Sequence, residues 1–467
     1  MITLRNVSFQ YEGCGEGVHD IDLIVHDGEC VVLTGPSGGG KTTLTRLING
    51  LAPSYYQGTQ KGSVSVNGTE ITTLPSWRIG QEIGSVFQDP KSQFFSSELA
   101  GEIAFACENY GMAKQEIRTR TEEAIASLGL DALRLRPLDV LSSGEKQRVA
   151  VASVYALRPH TYVCDEPTAN LDSEGAARLA DILRKLKDEG NTLIIAEHRL
   201  AWLSGIVDRF VYVSEGTIQW EKTPAQMREL SDEERKRYGL REIAETEISL
   251  PMLPASAGEE HLFCRNLTCR RKKAIIFENL NFALPAGLIT AVTGKNGAGK
   301  TTLAMALTGL QKPGSGEVYI GGKSLSAGKR RKAVWYSSND TGTQFFTTSV
   351  TDELLLHSDA SPGRLERARA LLKTLGLYAY KDAHPAALSG GQKQRLSIAC
   401  GLLSGREILL LDEPTSGLDG GNMRKIAAVL TEAAAEGKTI LVITHDKELM
   451  QSCCKFSMGA VSNDYWQ

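Results

Sequence analysis

Two stretches of this sequence hold the residue types that phosphate chemistry requires. Gly35, Pro36, Ser37, Gly38, Gly39, Gly40, Lys41, Thr42, Thr43 and Gly294, Lys295, Asn296, Gly297, Ala298, Gly299, Lys300, Thr301, Thr302 both open with the pattern GxxxxGKT. Glycines at such positions let a loop backbone wrap phosphates closely, with N–H groups and a helix N-terminus aimed at the negative charge. In that arrangement Lys41 and Lys300 reach the β- and γ-phosphates, and the Thr42 and Thr301 hydroxyls ligate Mg2+. Further along, Asp165 with Glu166 and Asp412 with Glu413 each close an apolar run, TYVC and EILLL. An aspartate at the end of a buried strand can hold the magnesium, and the adjacent Glu166 or Glu413 can polarise an attacking water. His198 and His445 follow another apolar run, TLIIAE and TILVIT, which puts an imidazole at a strand end near the phosphates. Alone, a DE pair is usually a solvated turn and such a histidine a turn residue. Recurrence in register is what turns them into a site.

That register is an internal repeat. The phosphate loops recur at an offset of 259, from Gly35 to Gly294; LSSGEKQRVAVAS at Leu141 recurs as LSGGQKQRLSIAC at Leu388, DEPTANLD as DEPTSGLD and His198 as His445, each at 247. The halves read as two copies of one domain, the first carrying 12 more residues (259 − 247) between its loop and LSSGE. Within each copy a strand, CVVLT or LITAVT, runs into the loop and then into a helix with apolar spacing at Leu44, Leu47, Ile48 or Leu303, Leu307. Apolar runs alternating with helical segments imply an α/β sheet. The reading places a first domain at residues 1–222, a connector at 223–260 and a second domain at 261–467. Within the connector SDEERKRYG is a charged helical stretch and LPMLPASAGEE a Pro/Ala/Ser/Gly-rich tether.

Composition bounds the alternatives. At 467 residues, 42% hydrophobic and 23% charged, the chain has the means for two or three ordinary cores of about 150 residues each. With 52 Lys+Arg against 55 Asp+Glu its net charge is −3, so no global basic excess favours nucleic acid or anionic lipid. Nine cysteines (Cys14, Cys30, Cys107, Cys164, Cys264, Cys269, Cys400, Cys453, Cys454) are scattered without a CxxC pair, which indicates neither a disulfide framework nor zinc and fits a reducing cytosol. MITLRNVSFQYEG lacks the features of a signal peptide, and no run nears the 18 apolar residues of a spanning helix. The chain is expected not to cross a membrane itself.

A phosphate loop joined to an LSGGQ-type signature just upstream of a DE strand resembles the ATP-binding cassette (ABC) ATPases, over nearly the whole chain outside the connector. The resemblance implies two tandem P-loop ATPase domains, each a RecA-like α/β core with an α-helical and an antiparallel β subdomain, hydrolysing ATP with Mg2+. It further implies head-to-tail pairing, each ATP lying between one domain's phosphate loop and the other's signature, Ser142, Ser143, Gly144, Glu145 or Ser389, Gly390, Gly391, Gln392. By the same resemblance Tyr11 stacks on adenine, Gln88 contacts magnesium and the attacking water, Asn339 stands in for Gln88 in the second copy, and Asp172 and Asp419 couple the two sites.

The QFF elements, Gln93, Phe94, Phe95 and Gln344, Phe345, Phe346, resemble a segment of the ATPases of energy-coupling factor importers of vitamins and metal ions. Paired aromatics are also common core residues, and both readings of these phenylalanines stand at this point. The importer resemblance implies integral membrane partners, transmembrane coupling and substrate-binding components, with the ATPase peripheral on the cytoplasmic face, binding neither nucleic acid nor the transported molecule. Two alternatives are a tandem ATPase acting on ribosomes, whose DE strand leads into TNHLD where this chain has TANLD and TSGLD, and a tandem ATPase of sugar importers, whose second phosphate loop is typically degenerate. Three departures from the family pattern are Arg271 opposite Tyr11, Asn339 opposite Gln88, and LSSGE in place of LSGGQ. Head-to-tail pairing gathers all three in one site and predicts slower hydrolysis there.

Overall fold

A computed structural model describes residues 1–13, 15–244, 247–254, 260–271, 274–356 and 361–459, without the side chains of residues 271 and 274. The chain forms two compact units, Met1–Glu245 and Thr246–Gln467.

In the first unit the strands Cys30–Thr34 and Thr192–Ala196 are buried along their whole length, as expected of parallel strands covered on both faces. They lie inside a six-stranded sheet ordered Thr217–Lys222, Arg209–Ser214, Cys30–Thr34, Thr192–Ala196, Thr161–Asp165, Ile83–Val86, parallel except at the Thr217–Lys222 edge. Successive side chains feed opposite layers: Cys30 and Val32 join a core with the helices Leu99–Asn109, Lys114–Ser127 and Ser143–Tyr155, whereas Val31 and Leu33 join a core with the phosphate-loop helix and a second sheet. That second sheet is antiparallel, ordered Gly17–Val25, Ile2–Tyr11, Gly58–Val66, Thr69–Glu70.

The second unit repeats the plan. A parallel sheet runs Val334–Ser337, Ile408–Asp412, Thr439–Ile443, Ile289–Thr293, Phe456–Gly459, and an antiparallel one Ala274–Pro285, Glu260–Arg271, Ser315–Ile320, Lys323–Ser324. Leu409 and Leu411 face the helical side while Ile408 and Leu410 face the antiparallel sheet. Both units thus have the α/β core, helical subdomain and antiparallel β subdomain expected of the fold.

The segment expected as a connector carries more structure than a tether. Capping boxes at Thr223 with Gln226 and at Ser231 with Glu234 start two short helices, Pro224–Arg228 and Asp232–Arg237. Met227, Leu230, Leu240 and Ile243 pack into the first core, and Tyr212 donates its hydroxyl to the Tyr238 carbonyl at 2.9 Å. Helices of five and six residues are too short to print an apolar period, so the sequence displays only their charge. Leu253 donates its N–H to Ser457 of the second unit, and residues 255–259 lie outside the described residues. Among the described residues no helix is long and apolar enough to cross a membrane. Cys14 is likewise outside them, and the other eight cysteines are free.

Candidate active sites

Each phosphate loop is shaped by glycines in conformations closed to other residues. Gly35, Gly38 and Gly40 adopt φ of 137°, 80° and 110°, and Gly294, Gly297 and Gly299 follow at 138°, 84° and 91°. A Cβ on Gly35 would fall 2.1 Å from the Val213 carbonyl oxygen. The helices Lys41–Ile48 and Lys300–Thr308 start without a side-chain cap or an acidic residue in the first turn, which leaves their N-terminal N–H groups for an anion. Lys41 folds over its loop and donates to the carbonyls of Gly35 (3.1 Å) and Pro36 (2.9 Å). Lys300 donates to the carbonyls of Gly294 and Lys295 in the same way.

The first unit gathers the expected catalytic side chains. Thr42 donates its hydroxyl to Asp165 Oδ1 at 3.2 Å, Gln88 Nε2 donates to Glu166 Oε2 at 2.8 Å, and His198 Nε2 lies 3.4 Å from Glu166 Oε1. Burial, then the neighbouring Glu166, pushes Asp165 up to about 7 against the pull of Thr42 and Lys41. Hydroxyl, carboxylate and amide oxygens are the donors a hard divalent cation takes, and its charge would relieve the repulsion between the two acids. Thr42, Asp165 and Gln88 therefore fit Mg2+, which when bound supplies charge neutralisation at the phosphates.

In the second unit Thr301 donates to Asp412 Oδ2 at 2.7 Å, and burial again raises the Asp412 carboxyl despite the Thr301 and Tyr336 hydroxyls. Here the two sites part. Asn339 is exposed, as Gln88 is, and the Glu413 carboxylate is approached by the Thr444 hydroxyl at 3.4 Å and by His445 Nε2 at 3.8 Å. Lys300 donates to His445 Nε2 at 3.1 Å, and Tyr336, where the first copy has Ser85, donates to Asp412 at 3.3 Å. Both glutamates occupy the left-handed region, Glu166 at φ 43° and Glu413 at φ 51°, pinned by N–H bonds to Ala196 O and Ile443 O at 2.8 Å each. Strained backbone at the same position in both copies is characteristic of a working site.

The family model described as ABC transporter matches residues 18–169 and again 277–416, more than half of the chain. The chain belongs to the tandem ABC ATPases. A putative ABC transporter ATP-binding protein of Treponema denticola is 39% identical, over 97% of this chain and 94% of the relative. A putative HMP/thiamine import ATP-binding protein, YkoD of Bacillus subtilis, is 33% identical over 97% and 88%. Among solved structures, a chain from a model of ribosome-bound archaeal Pelota and ABCE1 aligns with a TM-score of 0.68 at 25% identity, covering 97% of this chain and 76% of that one. ABC ATPase domains bind ATP, normally with Mg2+.

In this ABC ATPase both signatures are helix starts. Ser142 and Ser389 cap the helices Ser143–Tyr155 and Gly390–Leu403 through capping boxes with Glu145 and Gln392. A Cβ on Gly390 meets no atom within 4 Å inside its own unit, so Ser143 is accommodated there without strain. Glu145 is the more consequential departure. Burial opposes its charge, but Ser142 and Arg136 outweigh burial and hold the carboxyl below its usual range, leaving a fixed anion where Gln392 is neutral. Asp172 and Asp419 cap the helices Ser173–Asp188 and Gly420–Ala435 within their own units.

Tyr11 ends the strand Ile2–Tyr11 beside the phosphate-loop helix, donating to Thr43 Oγ1 (3.3 Å) and accepting from Arg46 (3.0 Å). Arg46 also lies 3.7 Å over the ring of Tyr56, so the tyrosine the sequence reading passed over shares this corner. Arg271 ends its strand, and its side chain lies outside the described residues.

The QFF elements divide their phenylalanines. Phe94 and Phe345 are half-buried against the helical cores, whereas Phe95 is 74% and Phe346 80% exposed. Sequence reasoning also missed what fixes these turns. Glu102 Oε2 accepts from the N–H groups of Phe95 and Ser96 at 2.8 Å each, and Glu353 Oε2 from Phe346 and Thr347 at 2.9 Å each. An acid seven residues beyond the second phenylalanine in both copies is the signal that could have found it. Beside Phe95 a groove of about 670 Å³ is lined by Trp77, Phe87, Phe105, Tyr110 and Glu102.

Proposed function

We propose that this ATPase energises a membrane importer of the energy-coupling factor type for a vitamin or metal ion. It works peripherally at the cytoplasmic face, with integral transmembrane coupling and substrate-binding subunits as partners, and neither nucleic acid nor the transported molecule is its ligand. The observation that carries this reading is the QFF turn, clasped by a buried glutamate in both units while it holds an apolar ring out to solvent. An exposed ring on a rigid turn beside an apolar groove suits a partner helix. The relative named for HMP/thiamine import supports the same class. Fold likeness to a ribosome-bound ABC protein supports the runner-up, action on ribosomes, and a sugar-importer ATPase is the remaining alternative.

In the proposed cycle each ATP is closed between one unit's phosphate loop and the other's signature. Lys41 and Lys300 hold phosphate oxygens, Thr42 with Asp165 and Thr301 with Asp412 present oxygen donors to the metal, and Glu166 and Glu413 orient the attacking water, aided by His198 and His445. The site of Lys41, Gln88, Glu166 and the Ser389–Gln392 signature keeps every consensus residue. The other joins the second phosphate loop to Asn339 and the anionic Glu145, and we assign it the slower turnover. Purification of the chain from detergent-solubilised membranes tests the function: integral membrane proteins should copurify. Recovery with ribosomes and without membrane proteins would overturn it.

A further inference from the structure

Beside each histidine is a buried carboxylate that no motif accounts for, and it has changed sides between the copies. In the first unit Glu197, immediately before His198, is 2% exposed. Its Oε2 accepts the hydroxyl of Thr168, in the DEPT turn, at 2.6 Å; its Oε1 accepts the N–H groups of His198 (2.7 Å) and Arg199 (3.1 Å). In the second unit the residue before His445 is Thr444, and the acid is Asp446, immediately after it and 5% exposed. Asp446 Oδ2 accepts the hydroxyl of Thr415, the counterpart of Thr168, again at 2.6 Å.

Chain geometry accounts for the exchange. After His445 comes the helix Lys447–Cys453, which needs an N-cap, and Asp446 supplies it by accepting from Leu449 N–H at 3.2 Å. After His198 the chain makes only the 3₁₀ turn Ala201–Leu203, so no α-helix asks for an acid at Arg199. The tie then comes from the preceding position, where glutamate has one more methylene with which to reach the threonine. Two different local backbones have thus kept one contact: a buried carboxylate bolting the histidine turn to the turn that carries the catalytic glutamate.

We propose that Glu197 and Asp446 are positioning residues for hydrolysis, each fixing the histidine turn against the Glu166 or Glu413 turn through a threonine hydroxyl. Neither touches nucleotide. The tie sets the distance between His198 and Glu166, or between His445 and Glu413, which must hold while the γ-phosphate leaves. The proposal rests on Glu166 and Glu413 being the water-orienting groups.

The test uses the full-length chain with its copurified partners, in a Glu413→Gln background that leaves the first unit's glutamate as the working one. Adding Glu166→Gln to that background should abolish turnover; persistence of turnover would overturn the reading of the glutamates without bearing on the tie. Glu197→Thr should lower kcat at least tenfold with little change in KM for ATP. Glu197→Thr with Arg199→Asp, which rebuilds the second unit's arrangement in the first, should recover kcat to within about threefold of the background. An unchanged kcat in Glu197→Thr overturns the proposal, and so does a folded double variant no better than the single. Should Glu197→Thr fail to fold, as read by circular dichroism, a folded and active double variant supports the tie and an unfolded one overturns it.

Discussion

Replacing Glu102 by Ala removes the shared acceptor of the Phe95 and Ser96 N–H groups, both 2.8 Å from one carboxylate oxygen of a side chain only 3% exposed. A hydrogen bond to a charged partner contributes about 2 kcal/mol net, so the pair holds the QFF turn closed by about 4 kcal/mol. At about 1.4 kcal/mol per decade, losing both should raise the open fraction nearly a thousandfold. Glu102→Gln keeps an acceptor oxygen and loses only the charge. With neutral bonds at about 1 kcal/mol each the loss is about 2 kcal/mol, or roughly thirtyfold. Amide hydrogen exchange read at single residues measures that opening. Protection at Phe95 and Ser96 should fall in the order wild type, Gln, Ala, while the helix Ser143–Tyr155 keeps its rates. Equal rates for Gln and Ala would refute the clasp. A parallel loss across the whole helical core would show that Glu102 supports the fold and not the turn.

Three further outcomes are expected. Lys41→Ala combined with Lys300→Ala should abolish ATP binding measured by equilibrium dialysis, since both point charges on the phosphates go; wild-type affinity would sink the nucleotide assignment. Phe95→Ser with Phe346→Ser should leave the melting temperature within about 2 °C, because both rings are largely exposed, yet uncouple ATP hydrolysis from uptake in vesicles. Retained coupling removes the docking role. Glu166→Gln in the full-length chain with its copurified partners should nearly stop steady-state hydrolysis while Glu413→Gln costs less, and equal losses would refute unequal sites.

What was legible in the sequence was whatever is encoded by contiguous residues. GxxxxGKT, the signatures and the DE strands each need several residue types at fixed spacing, so they place the loops, their helices and the central strands directly. Contacts between distant segments were not legible. Thr42 and Asp165 were linked only through the magnesium each could hold, Gln88 entered by resemblance, and the Glu102 clasp was missed, because only the fold brings these groups together. The connector was legible in part: SDEERKRYG was read as helical and Asp232–Arg237 is a helix, but the packing of Met227, Leu230, Leu240 and Ile243 was not, because they sit in turns and short helices without an apolar period. The division of labour within QFF was hidden too, since two adjacent phenylalanines of the same type point one to the core and one to solvent.

The departures that the proposed head-to-tail pairing gathers in one site look mild one by one, and geometry is what ranks them. Ser143 occupies a helix start where the matching glycine, Gly390, leaves open space inside its unit, so its added side chain carries little weight. Glu145 carries more, because its hydrogen bonds and Arg136 fix a negative charge at a helix N-terminus that the proposed pairing would turn toward the γ-phosphate. Gln392 accepts the equivalent Ser389 N–H at 2.8 Å without a charge, so what Glu145 adds is an anion that repels a phosphate brought to the same helix end. Asn339 adds to this by standing, one methylene shorter, where Gln88 gives its amide to Glu166 at 2.8 Å. On the proposed roles both effects would weaken the hold on the γ-phosphate and its water while Glu413 is kept, so the expected consequence is slowed turnover with ATP still bound.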